Sequence, residues 1–362
     1  MATFQETGPR TPVTTSIRVD KVRPGARLTR TIRAIVVVAL ALGGLIPVFA
    51  MGITAFKSRN AVVSVPPSLI PVPDGDRLRL EAAEARRQTG ETSLAQHFFQ
   101  PTLEGFVFLL TERAQAGPAR AAQLAELRAE GELPLFDRVA LNAGQEILGP
   151  SQYVGRLKNS IIIAGISTVA SVVLGLFAAY AFSRFDIPGK DDLLFFILST
   201  RMLPPVVVTI PLFLMYRTLG LHDTHFGMIL LYTVFNLSFS VWLLKGFIDE
   251  IPREYEEAAL VDGYSRLQAF FRIVLPQALT GIAATTVFCL IFAWNEYAFA
   301  LMLTSEVART APPSIPTMLG RGGIEWAAIA AGTLGFLIPV VIVTFALRNY
   351  LLRGVTFGAI RQ

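Results

Sequence analysis

Runs of about 20 apolar residues recur along this chain, and each can cross a bilayer core of ~30 Å as a helix rising 1.5 Å per residue. Such runs constrain the fold before anything else does, because a bilayer offers no water to satisfy backbone N–H and C=O groups. Composition agrees. The 362 residues are 52% hydrophobic and 16% charged, whereas about a quarter of a soluble chain is charged. The expected fold is an all-α polytopic membrane protein with six transmembrane helices, at roughly 34–56, 160–182, 193–216, 226–244, 279–303 and 327–347. Pro204, Pro205 and Pro211 fall in the third span, so that helix is expected to be broken or kinked. The backbone groups it frees must then find partners on neighbouring helices or in water. The single cysteine, Cys289, lies in an apolar run, which excludes a disulfide framework or a cysteine-based metal site.

Charge gives an expected orientation. Arg10, Arg18, Lys21, Arg23, Arg27, Arg30 and Arg33 precede the first span, Arg184 and Lys190 follow the second, and Arg348, Arg353 and Arg361 follow the last. The two short opposite loops hold only Arg217, Arg309 and Arg321. Positive residues mark the cytoplasmic side, so both termini and residues 257–276 are expected there. The net charge of +5 fits basic flanks as well as it fits nucleic acid. The expected layout is a cytoplasmic tail at 1–33, a first span at 34–56, an external insertion at 57–158, a transmembrane core at 159–350 with a cytoplasmic loop at 247–278, and a cytoplasmic tail at 351–362. Val48-Phe49-Ala50 offers a cleavage site, but the preceding polar region is long and the apolar run too extended for a signal peptide. In the insertion, residues 78–87 and 114–130 have helical composition, with Gly117-Pro118 interrupting the start of the second. The insertion reads either as an exposed addition without a large core or as a docking surface for an external partner.

Residues 257–276 form a polar elbow between apolar spans. Pro252 suits a first helical turn, and Glu254, Glu256 and Glu257 stand near the positive end of that helix's dipole. Ala258 and Ala259 keep one face small. Gly263 suits the left-handed position that ends a helix. Ser265 with Gln268 forms a capping box for a second helix, Leu267, Phe270, Phe271 and Val274 form its apolar stripe, and Pro276 stops it.

Glu-Ala-Ala, three residues, Gly, nine residues, then Ile273-Val274-Leu275-Pro276 resembles the cytoplasmic loop signature of permease subunits in binding-protein-dependent ABC importers. Glu81-Ala82-Ala83 repeats the opening but has Arg87 where the glycine belongs. Further similarity points to the carbohydrate branch, the maltose-type second permease. It lies in Asn159-Ser160, the Ala179 to Phe185 run, Met202-Leu203-Pro204, Ile210-Pro211-Leu212, Leu219-Gly220-Leu221, Ile251-Pro252, Trp294-Asn295-Glu296, Gly354, Gly358 and Ala359. It covers about 32–56 and 159–362; the insertion is some 50 residues longer than the pattern after Pro101-Thr102-Leu103-Glu104.

The resemblance implies a subunit that carries sugar or polyol across a bacterial inner membrane. Its implied partners are a second permease, two ATPase subunits and an extracytoplasmic binding protein. The chain has no phosphate-cradling Gly-x-x-x-x-Gly-Lys-Ser/Thr loop, so no cofactor is expected on it, and ATP and Mg belong to the partner ATPases. By resemblance Glu257, Ala258, Ala259 and Gly263 form the ATPase contact and its hinge. Ile273 belongs to the same signature, and Leu275 and Pro276 set the angle at which motion enters the fifth span. The tail at Gly358 and Ala359 reaches the ATPase as well.

Polar residues inside spans usually face a bundle interior or a cavity. Arg201, Asn236, Asn295 and Glu296 qualify, either as a path for a hydroxyl-rich solute or as interhelical hydrogen-bonding groups. His222, Asp223 and His225 supply too few ligands for a metal without help from elsewhere, and no metal site is expected. The rival reading is an ion-gradient-driven secondary transporter, which predicts internal repeats and mid-membrane charges. A membrane enzyme would require a catalytic constellation that the spans do not show.

Overall fold

A computed structural model describes residues 24–320 and 323–357; the expected tail contacts Gly358 and Ala359 and most of the 1–33 tail lie outside them. The chain divides into two units, Met1–Ala50 and Met51–Gln362. In the first, the described residues belong to one helix, Pro24–Ala55, which carries Pro47 and exposes large apolar side chains such as Leu40 and Phe49.

The second unit is a helical bundle with the insertion at one end and the elbow at the other. Helices Tyr153–Arg184, His225–Asp249 and Trp326–Phe357 are, with Pro24–Ala55, the four described helices long and apolar enough to cross a membrane, and two bent pairs raise the number to as many as six. One pair is the third expected span, which turns by 91° between Lys190–Met202 and Pro205–Thr218. Consecutive prolines explain the break: the ring of Pro205 biases Pro204 away from helical backbone, and Pro204 has ψ 128°.

The other bend falls just before the expected fifth span at 279–303, and that span, expected to be continuous, is itself broken. Arg266–Gln277 meets Leu279–Trp294 at 73°. The chain then leaves the helix at Asn295 and resumes as the short helix Ala298–Leu303. Several expected ends also move. The second helix starts at Tyr153 rather than 160, the fourth runs on to Asp249, and the last continues through Phe357 into the expected 351–362 tail.

Small residues let the central helices approach closely. A Cβ on Gly175 would lie 2.2 Å from Ser240 Oγ, and one on Gly281 2.4 Å from Phe247 Cγ. Val172, Leu176, Leu244, Ile248, Phe270 and Val274 make one buried cluster near the elbow; Ile163, Tyr232, Trp294 and Phe299 belong to another farther along the bundle.

The insertion holds helices Gly75–Thr89, Glu104–Leu110, Pro118–Ala129 and Leu135–Asn142, and an antiparallel hairpin of Thr111–Gln115 with Gln145–Pro150. The expected helix at 114–130 begins only at Pro118, because Ala114 and Gln115 belong to the hairpin. Val107, Phe108 and Leu109 are buried against Ala328, Ala330 and Ala331 of the last helix. Gly105 permits this: a Cβ there would lie 2.6 Å from the carbonyl oxygens of Ala327 and Ala55.

Candidate functional site

The elbow is built from Glu254–Val261, then Arg266–Ala269 and a π-helical turn, Phe270–Val274. Pro252 precedes the first helix instead of opening its first turn; Arg253 is the capping position. Gly263 is left-handed at φ +87°. The Ser265–Gln268 capping box is complete, with Gln268 N donating to Ser265 Oγ at 3.3 Å and Ser265 N to Gln268 Oε1 at 2.8 Å.

The expected apolar stripe divides. Phe270 and Val274 are buried at 1% and 0%, while Leu267 is 62% and Phe271 48% exposed. A π turn closes i→i+5 bonds and changes the local register, so the buried row runs through Ala269, Phe270, Val274 and Ala278. Phe270 packs its ring on Tyr180 at 4.7 Å and Phe177 at 5.5 Å. Ile273 and Leu275 are half-buried, and Pro276 is exposed in the first turn of Leu275–Gln277.

The signature residues face different ways. Glu257, Ala258 and Gly263 are exposed, whereas Ala259 is buried at 5%. The small side chain of Ala259 thus serves packing within the chain. The outward face also carries Tyr255 and Val261 at 53% and 87% exposure. The spacing of Tyr255, Ala258 and Val261 was the available sequence signal for this second, outward stripe.

Sequence reasoning gave Glu256 only a place at the helix dipole and missed its pairing. Its side chain is 9% exposed and ion-paired with Arg184, itself 6% exposed, through Arg184 Nε. Tyr180 Oη donates to Glu256 Oε2 at 2.9 Å, and Arg184 Nη2 donates to Ile251 O at 2.9 Å. Arg253 Nη2 donates to Ser183 O at 2.6 Å. Ser183 Oγ donates to Asp249 Oδ1, which also holds Lys245 through Oδ2, both at 2.5 Å. The elbow is therefore latched directly to the end of the Tyr153–Arg184 helix, and through Ser183 to Asp249 at the end of the His225–Asp249 helix.

Three of the four polar span residues share one cavity. Arg201, Asn236 and Glu296 line a space of about 210 Å³ with Tyr232, Phe235, Phe292 and Phe299. Asn295 stands apart, exposed, with Nδ2 donating to Ile291 O at 2.9 Å. Arg201 lies over the Phe292 ring with Cζ 4.2 Å from the centroid, and its Nη1 donates to Phe235 O at 3.0 Å. Asn236 Nδ2 donates to Cys289 O at 3.1 Å. Glu296 accepts from Tyr232 Oη at 2.9 Å and from the backbone N–H groups of Phe299 and Ala300. These groups thus bond the helices together and also give a charged, aromatic-walled cavity. The Trp294 indole faces away, donating to Phe336 O at 3.1 Å and stacking on that ring.

At the insertion end the residues of the weak metal motif take other work. Asp223 accepts from the N–H groups of Ser305, Glu306, Val307 and Ala308 at 3.0–3.1 Å. Burial would raise its pKa, but those four donors hold it below the usual carboxylate value. His225 Nε2 pairs with Asn159 Oδ1 at 2.8 Å, and Asn159 Nδ2 donates to Val307 O and Arg309 O. His222 rests edge-on to Phe213.

Comparison with known proteins places this geometry. Residues 171–357, about half of the chain, match the model of the binding-protein-dependent transport system inner membrane component family. The trehalose transport system permease protein SugB of Mycobacterium tuberculosis is 38% identical over 57% of this chain and 76% of its own length. The trehalose/maltose transport system permease protein MalG of Thermococcus litoralis is 34% identical over 57% of this chain and 74% of its own. A chain in the crystal structure of a bacterial ABC transporter that imports alginate shares the fold, with a TM-score of 0.57 at 19% identity over 91% of this chain and 98% of that one. The chain belongs to the family of inner-membrane components of binding-protein-dependent transport systems.

Proposed function

We propose that this chain is one of two permeases in an ATP-driven importer of a sugar or polyol. In this reading an extracytoplasmic binding protein delivers the solute at the insertion end, and two ATPase subunits, carrying ATP and Mg, dock at the elbow. Both termini then lie in the cytoplasm, as the distribution of arginine and lysine suggests. The identity of about a third or more to permeases named for trehalose and maltose carries the substrate class. The mid-span cavity supports it, since Arg201, Asn236 and Glu296 stand among aromatic rings, a mixture suited to hydroxyl-rich solutes.

The elbow supplies the coupling. Its outward face, with Glu257, Ala258 and Gly263, is free for another protein, while the Arg184–Glu256 pair and Phe270 tie its inward face to the spans. A push on the elbow would therefore reach the second and fourth spans through the latch as well as the fifth through Leu275 and Pro276. Access can alternate only if the two states differ in their interactions, and ATP-driven closure of the partner subunits provides that difference.

The test is uptake of labelled trehalose and maltose into proteoliposomes holding both permeases, the ATPases and the binding protein. The reading predicts uptake that requires ATP and ignores a proton gradient. Uptake that persists without ATP and follows the proton gradient would support the secondary-transporter reading instead.

A further inference from the structure

At the insertion end the first and last spans meet side by side. A Cβ on Gly105 would lie 2.6 Å from both the Ala55 and the Ala327 carbonyl oxygens. Ala55 closes the helix Pro24–Ala55, and Ala327 stands in the first turn of Trp326–Phe357. Both helices are long and apolar enough to cross a membrane, so the edge of the hydrocarbon core falls close to this level. The side chains found there are apolar and open. Phe56, Val63, Ile324 and Trp326 are exposed, and Val65 is almost bare at 93%.

The segment that carries them is pinned. Ser68 is buried and its Oγ donates to Ala61 O at 2.8 Å, Leu69 N donates to His97 O at 2.7 Å, and Arg79 Nη2 donates to Pro66 O at 2.5 Å. Lys57 turns inward over the Phe99 ring. Between this segment and the start of the last helix lies a cleft of about 290 Å³, where Val63, Ile324 and Trp326 stand with Arg59 and Asn60. Arg59 N donates to Glu104 Oε1 at 3.2 Å, and its Nη1 lies 3.9 Å from the nearly buried Glu325 carboxylate, which leaves the guanidinium partly exposed in the cleft.

Exposed apolar patches of this kind mark contacts with proteins or with membranes. Two observations favour the membrane. The patch lies at the level of the span ends, where the bilayer surface must pass. Its mixture also suits that layer: tryptophan settles at the headgroup level, and arginine lays its stem along apolar surface while its head reaches polar groups. We propose that this rim is a membrane-docking surface, with Phe56, Val63, Val65, Ile324 and Trp326 entering the headgroup–acyl boundary of the leaflet at the insertion end. Apolar faces of this sort sink ~5–10 Å into that boundary. The bilayer then holds the base of the insertion, as the last helix does from within. The inference goes beyond the transport reading and does not depend on the solute carried.

Cys289 is the single cysteine and is buried, so Val65→Cys and, separately, Ile324→Cys each add one reactive thiol to the full-length chain. Ala122→Cys, at an exposed position of the Pro118–Ala129 helix, serves for comparison. Each thiol would carry an NBD fluorophore in nanodiscs of phosphatidylethanolamine and phosphatidylglycerol. Iodide then quenches from water, and lipid bearing a doxyl group high on its acyl chain quenches from the leaflet. The iodide quenching constant at Val65→Cys should be at least fivefold below that at Ala122→Cys, and the doxyl lipid should quench Val65→Cys but not Ala122→Cys. Ile324→Cys should follow Val65→Cys, and decides the matter if Val65→Cys fails to insert. Equal iodide quenching at all three positions, or protection from iodide without quenching by the doxyl lipid, overturns the proposal. Protection that arises only when the binding protein is added would also overturn it, and would make the rim a protein-docking surface.

Discussion

Single residues at the two ends of the bundle carry tertiary contacts disproportionate to their size. Asp223, at φ +56°, ties its loop to residues 305–308 through four backbone N–H groups. Losing such a charged acceptor should destabilise by about 1.5–3 kcal/mol, so Asp223→Ala should lower the melting temperature of the solubilised protein. Its folded pKa is depressed, so this stabilisation is present above the unfolded value of about 3.9 and is lost as pH falls through the folded value. The stability gap between wild type and Asp223→Asn should accordingly shrink on acidification below about pH 4; a gap that widens there would contradict the assignment. At the other end, Glu256→Ala should cost about 3–5 kcal/mol, because it leaves the Arg184 guanidinium buried and unpaired. Replacing both residues by apolar side chains of similar volume should restore much of that loss in thermal unfolding, as a buried pair allows.

Elements record where local rules suffice and where they fail. The glycine end and the capping box of the elbow were legible because Gly263, Ser265 and Gln268 act within a few residues of one another. So was the break at Pro204-Pro205, which follows from ring sterics alone. The buried side of the second elbow helix was not: the π turn at Phe270–Val274 forms where Phe270 can pack on Phe177 and Tyr180, nearly a hundred positions away. The Arg184–Glu256 pair was hidden for the same reason, being separated by 72 residues. Asn295 and Glu296 looked alike in sequence, yet only Glu296 lines the cavity, because the helix ends between them and Glu296 caps the next one. Helix packing supplies another test. Gly175→Ala would set a Cβ 2.2 Å from Ser240 Oγ and 3.3 Å from its backbone carbonyl carbon. Such overpacking should cost about 1–3 kcal/mol, whereas Gly246→Ala, with open space at its Cβ, should leave the melting temperature near wild type.

Across the whole molecule, a membrane bundle has an aromatic-walled polar cavity within it, a pinned insertion at one end and a latched elbow at the other. The family model matches residues 171–357, which leaves out the insertion and the first half of the Tyr153–Arg184 helix. The central claim is that force enters through the outward face of the elbow and that this chain does no chemistry of its own. Ala258 is exposed on that face, so Ala258→Trp adds bulk where a partner would dock and leaves the buried latch intact. The most direct measurement is ATP-driven trehalose or maltose uptake by the assembled importer carrying Ala258→Trp, with membrane insertion and melting temperature checked alongside. The account predicts near-complete loss of uptake with insertion and stability unchanged; uptake at the wild-type rate would contradict it.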